Sequence, residues 1–480
     1  MSTNPYVGLR PFDSKESLLF FGRNDQTLDL LQRLHEHHFV AVVGSSGSGK
    51  SSLVRAGLIP ALKAGYLVED SDKWHIAIMK PGQHPVYNLA ESILEQLSLN
   101  PESKVIARLS DKIEDEGADA ILDLITPVIQ DKNSNFFLLI DQFEELFRFS
   151  MEQQHSAQKD EAIDFVNIIL ELAQQSDVPF YIVSTMRSDF IGDCAQFYGL
   201  PEAMNNSQYL VPRLNRQQLK MVIEGPAKLF GGKVNSSLTS KLLNELGKVK
   251  DELPLLQHVL MRIWDYEMNI DKSGVLDLKD YQHVGGIEKA LSFHADEALA
   301  DMNADEKEIT KEIFKALTAI DDNGRKIRRP VRLHELKELT GADESQLLHI
   351  IDCFIKDRRS FLMMNNVGET NDKVIDISHE SLIRQWHTLG DWVDDEDEAA
   401  SYYKQLVDAT QLNALGKRDL LSGIELQLAL EWRKKFKPVK VWANRYKEGF
   451  DESIIYLNTS EHAWTKFLNL ESKKKKEKKK

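Results

Sequence analysis

Phe39-Val-Ala-Val-Val-Gly44-Ser-Ser-Gly-Ser-Gly-Lys50-Ser51-Ser52 joins two readable patterns. Phe39 to Val43 is a short apolar, β-branched run ending in glycine, the pattern of a buried strand. Leu53 to Leu62 then reads as a helix, with Pro60 near its end. Between them, Gly44 to Ser51 fits GxxxxGK[ST] in the strand-then-helix context that this motif requires. Glycines let the backbone N–H groups of Gly44, Ser45, Ser46, Gly47, Ser48 and Gly49 turn inward on a phosphate, and the helix N-terminus adds a favourable dipole. Lys50 is placed to reach the β- and γ-phosphates, the Ser51 hydroxyl to ligate Mg²⁺, and Ser52 closes the same segment. The expected ligands are ATP or ADP with Mg²⁺. The bland alternative, a Gly/Ser turn with a chance lysine, leaves the flanking strand and helix unexplained.

Working outward, Phe136 to Ile140 is the strongest strand pattern in the chain, and Asp141 follows it. An acid at the C-terminal end of a buried strand emerges beside a phosphate loop, where it supports the metal; an aspartate capping the next helix has the same local sequence. Phe143, Leu146 and Phe147 share one apolar helix face, which puts Glu144 and Glu145 on the exposed sides. Either glutamate could orient an attacking water, with Glu145 favoured; the alternative is a solvated helix face. A further strand, Pro179 to Thr185, leads to Arg187, which would point from the strand edge toward a γ-phosphate. Trp74 to Met79 is one more strand, lying between the two motifs in sequence, and Tyr209 to Val211 is a candidate fifth. That count suits the P-loop branch with an extra strand between the two motif strands. Apolar strands alternating with helical patterns predict a parallel α/β sheet with helices on both faces.

The organisation expected is a P-loop nucleotide-binding domain over 1–214, a helical lid over 215–300, a winged-helix domain over 301–395, a helical C-terminal segment over 396–470 and a basic disordered tail over 471–480. Before the loop, Leu28, Leu31 and Leu34 stand at helical spacing. The winged helix is suggested by helices at 306–319 and 344–357 followed by two apolar runs, Ser360 to Met364 and Val374 to Ile377. Asp394 to Glu398 reads as a solvated hinge.

At 480 residues the chain is long enough for about three domains of ~150 residues. Apolar residues make up 42% and charged residues 28%, which excludes a wholly disordered chain. The net charge is −15, and Lys473 to Lys480 carries +6 of opposite sign, leaving −21 elsewhere. So acidic a body argues against nucleic acid or an anionic membrane as a general partner. Two distant cysteines, Cys194 and Cys353, predict reduced thiols and a cytoplasmic setting rather than a disulfide scaffold. No apolar run is long enough to span a bilayer, and Met1 to Arg10 lacks the pattern of a signal peptide.

With these residues in place the chain resembles the STAND class of signal-transduction ATPases, specifically the bacterial group novel STAND NTPase 1. Asn4-Pro-Tyr-Val-Gly-Leu-Arg-Pro-Phe12, Phe20-Phe-Gly-Arg23, Leu139-Ile-Asp-Gln-Phe-Glu-Glu-Leu-Phe147, Ser184-Thr-Met-Arg187, Ile223-Glu-Gly-Pro-Ala227, Leu253-Pro-Leu-Leu256 and His379-Glu-Ser-Leu-Ile-Arg-Gln-Trp386 carry that resemblance in order. It implies that nucleotide-binding domain, lid and winged helix close over ATP or ADP. It also implies that Phe21, Gly22 and Arg23 line the adenine, that Pro254 contacts the nucleotide from the lid, and that His379 sits near the β-phosphate of ADP in an off state. Phe21 as core, Pro254 as a helix breaker and His379 as a helix cap are the plainer readings.

The resemblance makes the leading reading a nucleotide-operated switch: ADP holds a closed form, and ATP promotes opening and self-association, with weak, slow ATP hydrolysis. Sensor and effector domains would be separate or missing, since no repeats follow residue 460. Two rivals stand. A DNA-binding ATPase of the AAA+ or origin-recognition kind shares these elements, and residues 325–332 (RKIRRPVR) offer a local basic patch. A non-hydrolysing scaffold would hold nucleotide only as a structural ligand.

Overall fold

The computed structural model describes residues 4–66, 73–97, 102–132, 134–147, 156–175, 178–247, 252–320, 324–367 and 372–477. Five strands form the central sheet: β1 (Phe39–Gly44), β2 (Trp74–Met79), β3 (Asn135–Ile140), β4 (Phe180–Arg187) and β5 (Tyr209–Leu210). Their order is β2-β3-β4-β1-β5 and every pairing is parallel. The strand that separates the two motif strands in space is therefore β4, which carries Arg187, and not β2, which separates them in sequence.

Side-chain alternation explains why the strands read as unbroken apolar runs. Val40, Val42, Phe137, Leu139 and Val183 face one way, into the helices Asn24–His37 and Lys50–Lys63. Phe39, Ala41, Val43, Phe136, Leu138, Ile140 and Ile182 face the other way, into helices that include Pro85–Gln96 and Ala118–Lys132. Each such fully buried Val, Leu, Ile or Phe side chain contributes about 1.5–3 kcal/mol. On the helix Asn24–His37 the buried stripe is Leu30, Leu31 and Leu34, whereas Leu28 is exposed. Register brings the C-terminal ends of β1, β3 and β4 to one edge, with Gly44 opposite Arg187 and Ile140 opposite Ser184.

The chain divides into two compact units, the first running to Phe293 and the second made of His294–Asn366 and the residues from Asp372 onward. In the first, the helices Arg216–Leu229, Ser236–Leu246 and Glu252–Tyr266 follow the sheet. The N-terminal segment ties them down. Asn4 Nδ2 donates to Met261 O at 2.9 Å, the buried Tyr6 hydroxyl donates to Ile223 O at 2.6 Å, and Phe12 N donates to Ser52 Oγ at 3.1 Å.

The second unit contains the helices Ala304–Ala316, Leu333–Thr340 and Glu344–Ile355, then the strands Leu362–Val367 and Asp372–Ile377. Val331–Arg332 joins those two strands in a three-stranded sheet. Residues 368–371, between these two strands, lie outside the described residues. Helices His387–Ala414, Gly423–Phe436 and Phe450–Glu477 complete the unit.

Two sequence expectations fail here. Asp394 to Glu398 is not a hinge but the interior of the helix His387–Ala414. Glu396 is buried there because its Oε1 accepts from Trp442 Nε1 at 2.6 Å and Tyr446 OH at 2.7 Å, with Lys315 Nζ 3.6 Å from Oε2. A run of acids hides one member whose charge is satisfied internally. The tail, expected to be disordered from 471, continues the last helix through Glu477. Lysine and glutamate are good helix formers, and they extend a helix already nucleated. Residues 478–480 lie outside the described residues.

Among the described residues no helix is long and apolar enough to cross a membrane. Glu396→Ala leaves the Trp442 and Tyr446 donors without their acceptor and removes one of the two carboxylates beside Lys315. It is expected to destabilise the second unit by about 3 kcal/mol in urea titrations followed by tryptophan fluorescence; a change below about 0.5 kcal/mol would contradict that packing.

Candidate functional site

The loop leaving β1 is shaped by its glycines. A Cβ on Gly44 would stand 2.7 Å from Ser48 Oγ, and Gly47 and Gly49 have φ of 71° and 86°. Ser45 is exposed and Ser46 half-buried on the turn. Ser48 N donates to Ser45 O at 3.2 Å, while the buried Ser48 hydroxyl has no protein partner. Lys50 is buried, and its ammonium donates to Gly44 O at 3.0 Å and Ser45 O at 2.8 Å. Burial pulls its pKa down, and Glu144 is the largest charge opposing that pull.

Asp141 leaves β3 buried, its backbone N–H donating to Met79 O at 2.8 Å. Its Oδ1 accepts from Ser51 Oγ at 2.7 Å and Thr185 Oγ1 at 2.6 Å, and its Oδ2 accepts from Arg55 Nη2 at 2.9 Å. Burial works to raise the pKa of this carboxyl, but the Arg55 charge, the Thr185 hydrogen bond, Lys80 and Ser51 together hold it below the ordinary carboxylate value. Asp141 is thus not the cap of a helix; the next residue, Gln142, has φ of 62° and breaks any helix there. Gln142 N donates to Thr185 Oγ1 at 3.0 Å and Phe143 N to Thr185 O at 2.9 Å, which holds this left-handed turn in place.

That turn overturns one expectation. The segment after Asp141 does not start as a helix, so Glu144 does not lie on an exposed side: it is 6% exposed, and its Oε2 accepts from Arg187 N at 3.3 Å. Glu145 is half-buried and reaches the other way, accepting from Gly82 N at 3.1 Å. Phe143, Leu146 and Phe147 are buried as the spacing predicted. The Arg187 guanidinium pairs with Asp189, Nη2 to Oδ2 at 2.5 Å, and lies over the Phe190 ring. Its charge still acts on Lys50.

Arg23 is buried, with Nη1 donating to Pro212 O at 2.7 Å and Nη2 to Ser48 O at 3.0 Å. Burial lowers its pKa to about 10. Its guanidinium therefore braces the loop from behind. The Phe21 ring packs where a Cβ on Gly225 would come within 2.8 Å, and Gly22, with φ of 82°, leaves room for Gln218 O. Ser52 Oγ is occupied by Phe12 N. Pro254 is half-buried on the first turn of the helix Glu252–Tyr266. Leu253, beside it, lies 3.4 Å from where a Cβ on Gly49 would be, so that helix meets the loop.

His379 belongs to the second unit. Its Nδ1 accepts from Ser381 N at 3.1 Å and lies 2.6 Å from Ser381 Oγ, at the start of the helix Ser381–Gln385, whose N-cap position is Glu380. Sequence reasoning missed Arg55 and the role of Thr185. The signal for Arg55 was its position four residues beyond Ser51, on the same helix face.

Because folding lowers the Asp141 pKa, the charged carboxylate stabilises the fold above its unfolded value of about 3.9, and that contribution is lost as pH falls through the folded value. The stability advantage of wild type over Asp141→Asn is expected to be large at pH 7 and to shrink below about pH 4. An advantage unchanged down to about pH 3 would contradict the assignment.

No curated protein matches the chain. Among solved structures it is similar to the Aeropyrum pernix ORC2 protein in ADPNP-ADP complexes, with 12% identity, 78% of this chain and 94% of that chain covered, and a TM-score of 0.43. It is similar to the Aeropyrum pernix ORC1 protein in complex with DNA, with 12% identity, 78% and 93% covered, and a TM-score of 0.42. It is also similar to the RuvB Holliday junction branch migration motor of Thermotoga maritima, with 12% identity, 78% and 97% covered, and a TM-score of 0.32. The family model for Novel STAND NTPase 1 matches residues 5–419. Glycine cradle, buried Asp141 and this match lead to one statement: the chain belongs to the Novel STAND NTPase 1 family.

Proposed function

We propose that the chain binds ATP or ADP on the Gly44–Ser52 loop and acts as a nucleotide-operated switch with weak ATPase activity. The observation that carries this is the meeting of Lys50, Ser51, Asp141 and Thr185 at one edge of the parallel sheet, under a loop shaped by its glycines. The domains of the switch are a nucleotide-binding domain (1–214), a lid (215–300), a winged helix (301–395) and a helical C-terminal segment (396–470).

Lys50 would exchange its two loop carbonyls for phosphate oxygens, which accept more strongly from an ammonium. The unpartnered Ser48 hydroxyl is a further donor in the cradle. Ser51 and Asp141, hydrogen-bonded to each other, are the residues that would hold Mg²⁺ beside the phosphates. When bound, that ion would neutralise charge on the β- and γ-phosphate oxygens.

Both glutamates accept from a backbone N–H, Glu144 from Arg187 and Glu145 from Gly82; Glu144 is the one whose charge acts on Lys50, and it is the candidate proposed to orient water. Arg187 would report the γ-phosphate by exchanging Asp189 for it. Phe21 and Gly22 are the residues proposed for the base, Arg23 and Ser52 act by holding the loop, and Pro254 acts from the lid. The resemblance gives His379 a contact with ADP; with Nδ1 engaged by Ser381, Nε2 is the nitrogen that carries the proton of a neutral ring.

Two of the five basic residues in the DNA-binding rival's patch, Lys326 and Arg328, are engaged within the second unit. Lys326 Nζ bonds Gly390 O at 3.0 Å and Asp394 at 2.7 Å, and Arg328 bonds Asp376 and Ile377 O at 2.8 Å. These charges are spent inside the second unit.

The test is nucleotide content and native mass of the purified protein, before and after exchange of bound ADP for ATP–Mg²⁺. The switch predicts copurified ADP, a rise in mass with ATP and slow phosphate release, all lost in Lys50→Ala. Bound nucleotide with no turnover and no change of mass would select the scaffold instead.

A further inference from the structure

The nucleotide reading leaves one half-buried charge, that of Arg55, without a task. Arg55 lies on the π-helical segment Leu53–Leu58 that continues from the phosphate loop. Such segments widen the helical turn and are frequent at functional sites. Its guanidinium caps Asp141 Oδ2 at 2.9 Å, while Ser51 and Thr185 fill Oδ1. The Arg55 side chain is 23% exposed and that of Asp141 3%, so solvent screens the pair weakly. Arg55 Nε is buried without a hydrogen-bond partner. The carboxylate that would support a divalent ion therefore already has a fixed, always-charged counter-ion.

We propose that Arg55 is the resident counter-cation of Asp141 and makes nucleoside diphosphate binding independent of a divalent cation. The inference rests on the nucleotide reading above. A carboxylate neutralised by a guanidinium attracts a second cation weakly, and a divalent ion near Ser51 meets the repulsion of Arg55. Lys80, whose charge also acts on Asp141, adds to the same field. The diphosphate then draws its counter-charge from protein cations, and the metal becomes important only with a third phosphate. Arg55 is a positioning residue here, acting through Asp141.

The experiment is calorimetric titration of nucleotide-stripped, full-length protein with ADP, in EDTA and in excess MgCl₂. In wild type the two dissociation constants are expected to agree within about threefold. In Arg55→Gln, removing Mg²⁺ is expected to weaken ADP by more than about tenfold, and Arg55→Lys, which keeps the charge, is expected to stay near wild type. A wild-type ratio above about tenfold, or equal ratios in wild type and Arg55→Gln, overturns the proposal. If Arg55→Gln does not fold, the wild-type ratio and Arg55→Lys decide. Wild-type protein that binds no ADP in either buffer is a different result: it removes the nucleotide reading and this proposal with it.

Discussion

A carboxylate taken out of water must be surrounded by donors, and the arrangement of this protein's first unit follows from how Asp141 meets that demand. Its partners come from elements far apart in sequence. Ser51 and Arg55 lie on the helix after the glycine loop, and Thr185 lies near the end of β4. Satisfying one buried charge therefore fixes the helix, two strands and the loop between them to within hydrogen-bond tolerance. Gln142 pays with a left-handed backbone so that Thr185 can serve both sides of the turn.

From that centre the order spreads in two directions. Toward β2, Glu145 reaches the Gly82 amide, which links the acid segment to the next strand's exit. Toward the helices beyond the sheet, Phe12 holds Ser52 while Asn4 and Tyr6 hold the helices 252–266 and 216–229. The same N-terminal strap therefore grips the phosphate-loop helix and the proposed lid. Any movement of one relative to the other must strain or break those bonds, which is the physical connection that a nucleotide-driven change of shape would use.

Much of this was legible in the sequence, and the failures share a cause. Strands β1, β3 and β4 were readable because both their faces are buried, so period-two alternation collapses into apolar runs. The glycine loop and Asp141 were readable because the backbone and charge demands there admit few residues. Glu144 was misplaced because regular helical spacing was read through residues 143–147, whereas 141–144 is a turn closed by bonds three residues back, such as Glu145 N to Gln142 O, and Arg187 N meets the Glu144 carboxylate. Glu396 was hidden for a related reason: one acid in a run of acids looks solvated until Trp442, Tyr446 and Lys315 are brought to it by tertiary packing. Arg55 carried only a spacing signal, since nothing in the sequence says that its helix face meets the end of β3.

The central claim is that the amides between Gly44 and Ser51 receive phosphate. Hydrogen–deuterium exchange of the full-length protein, with and without ADP, measures that directly. The account predicts that ADP slows exchange in the peptides covering residues 44–52, with a smaller effect at the first turn of the helix 252–266. Protection that appears elsewhere while the loop amides exchange unchanged would contradict it.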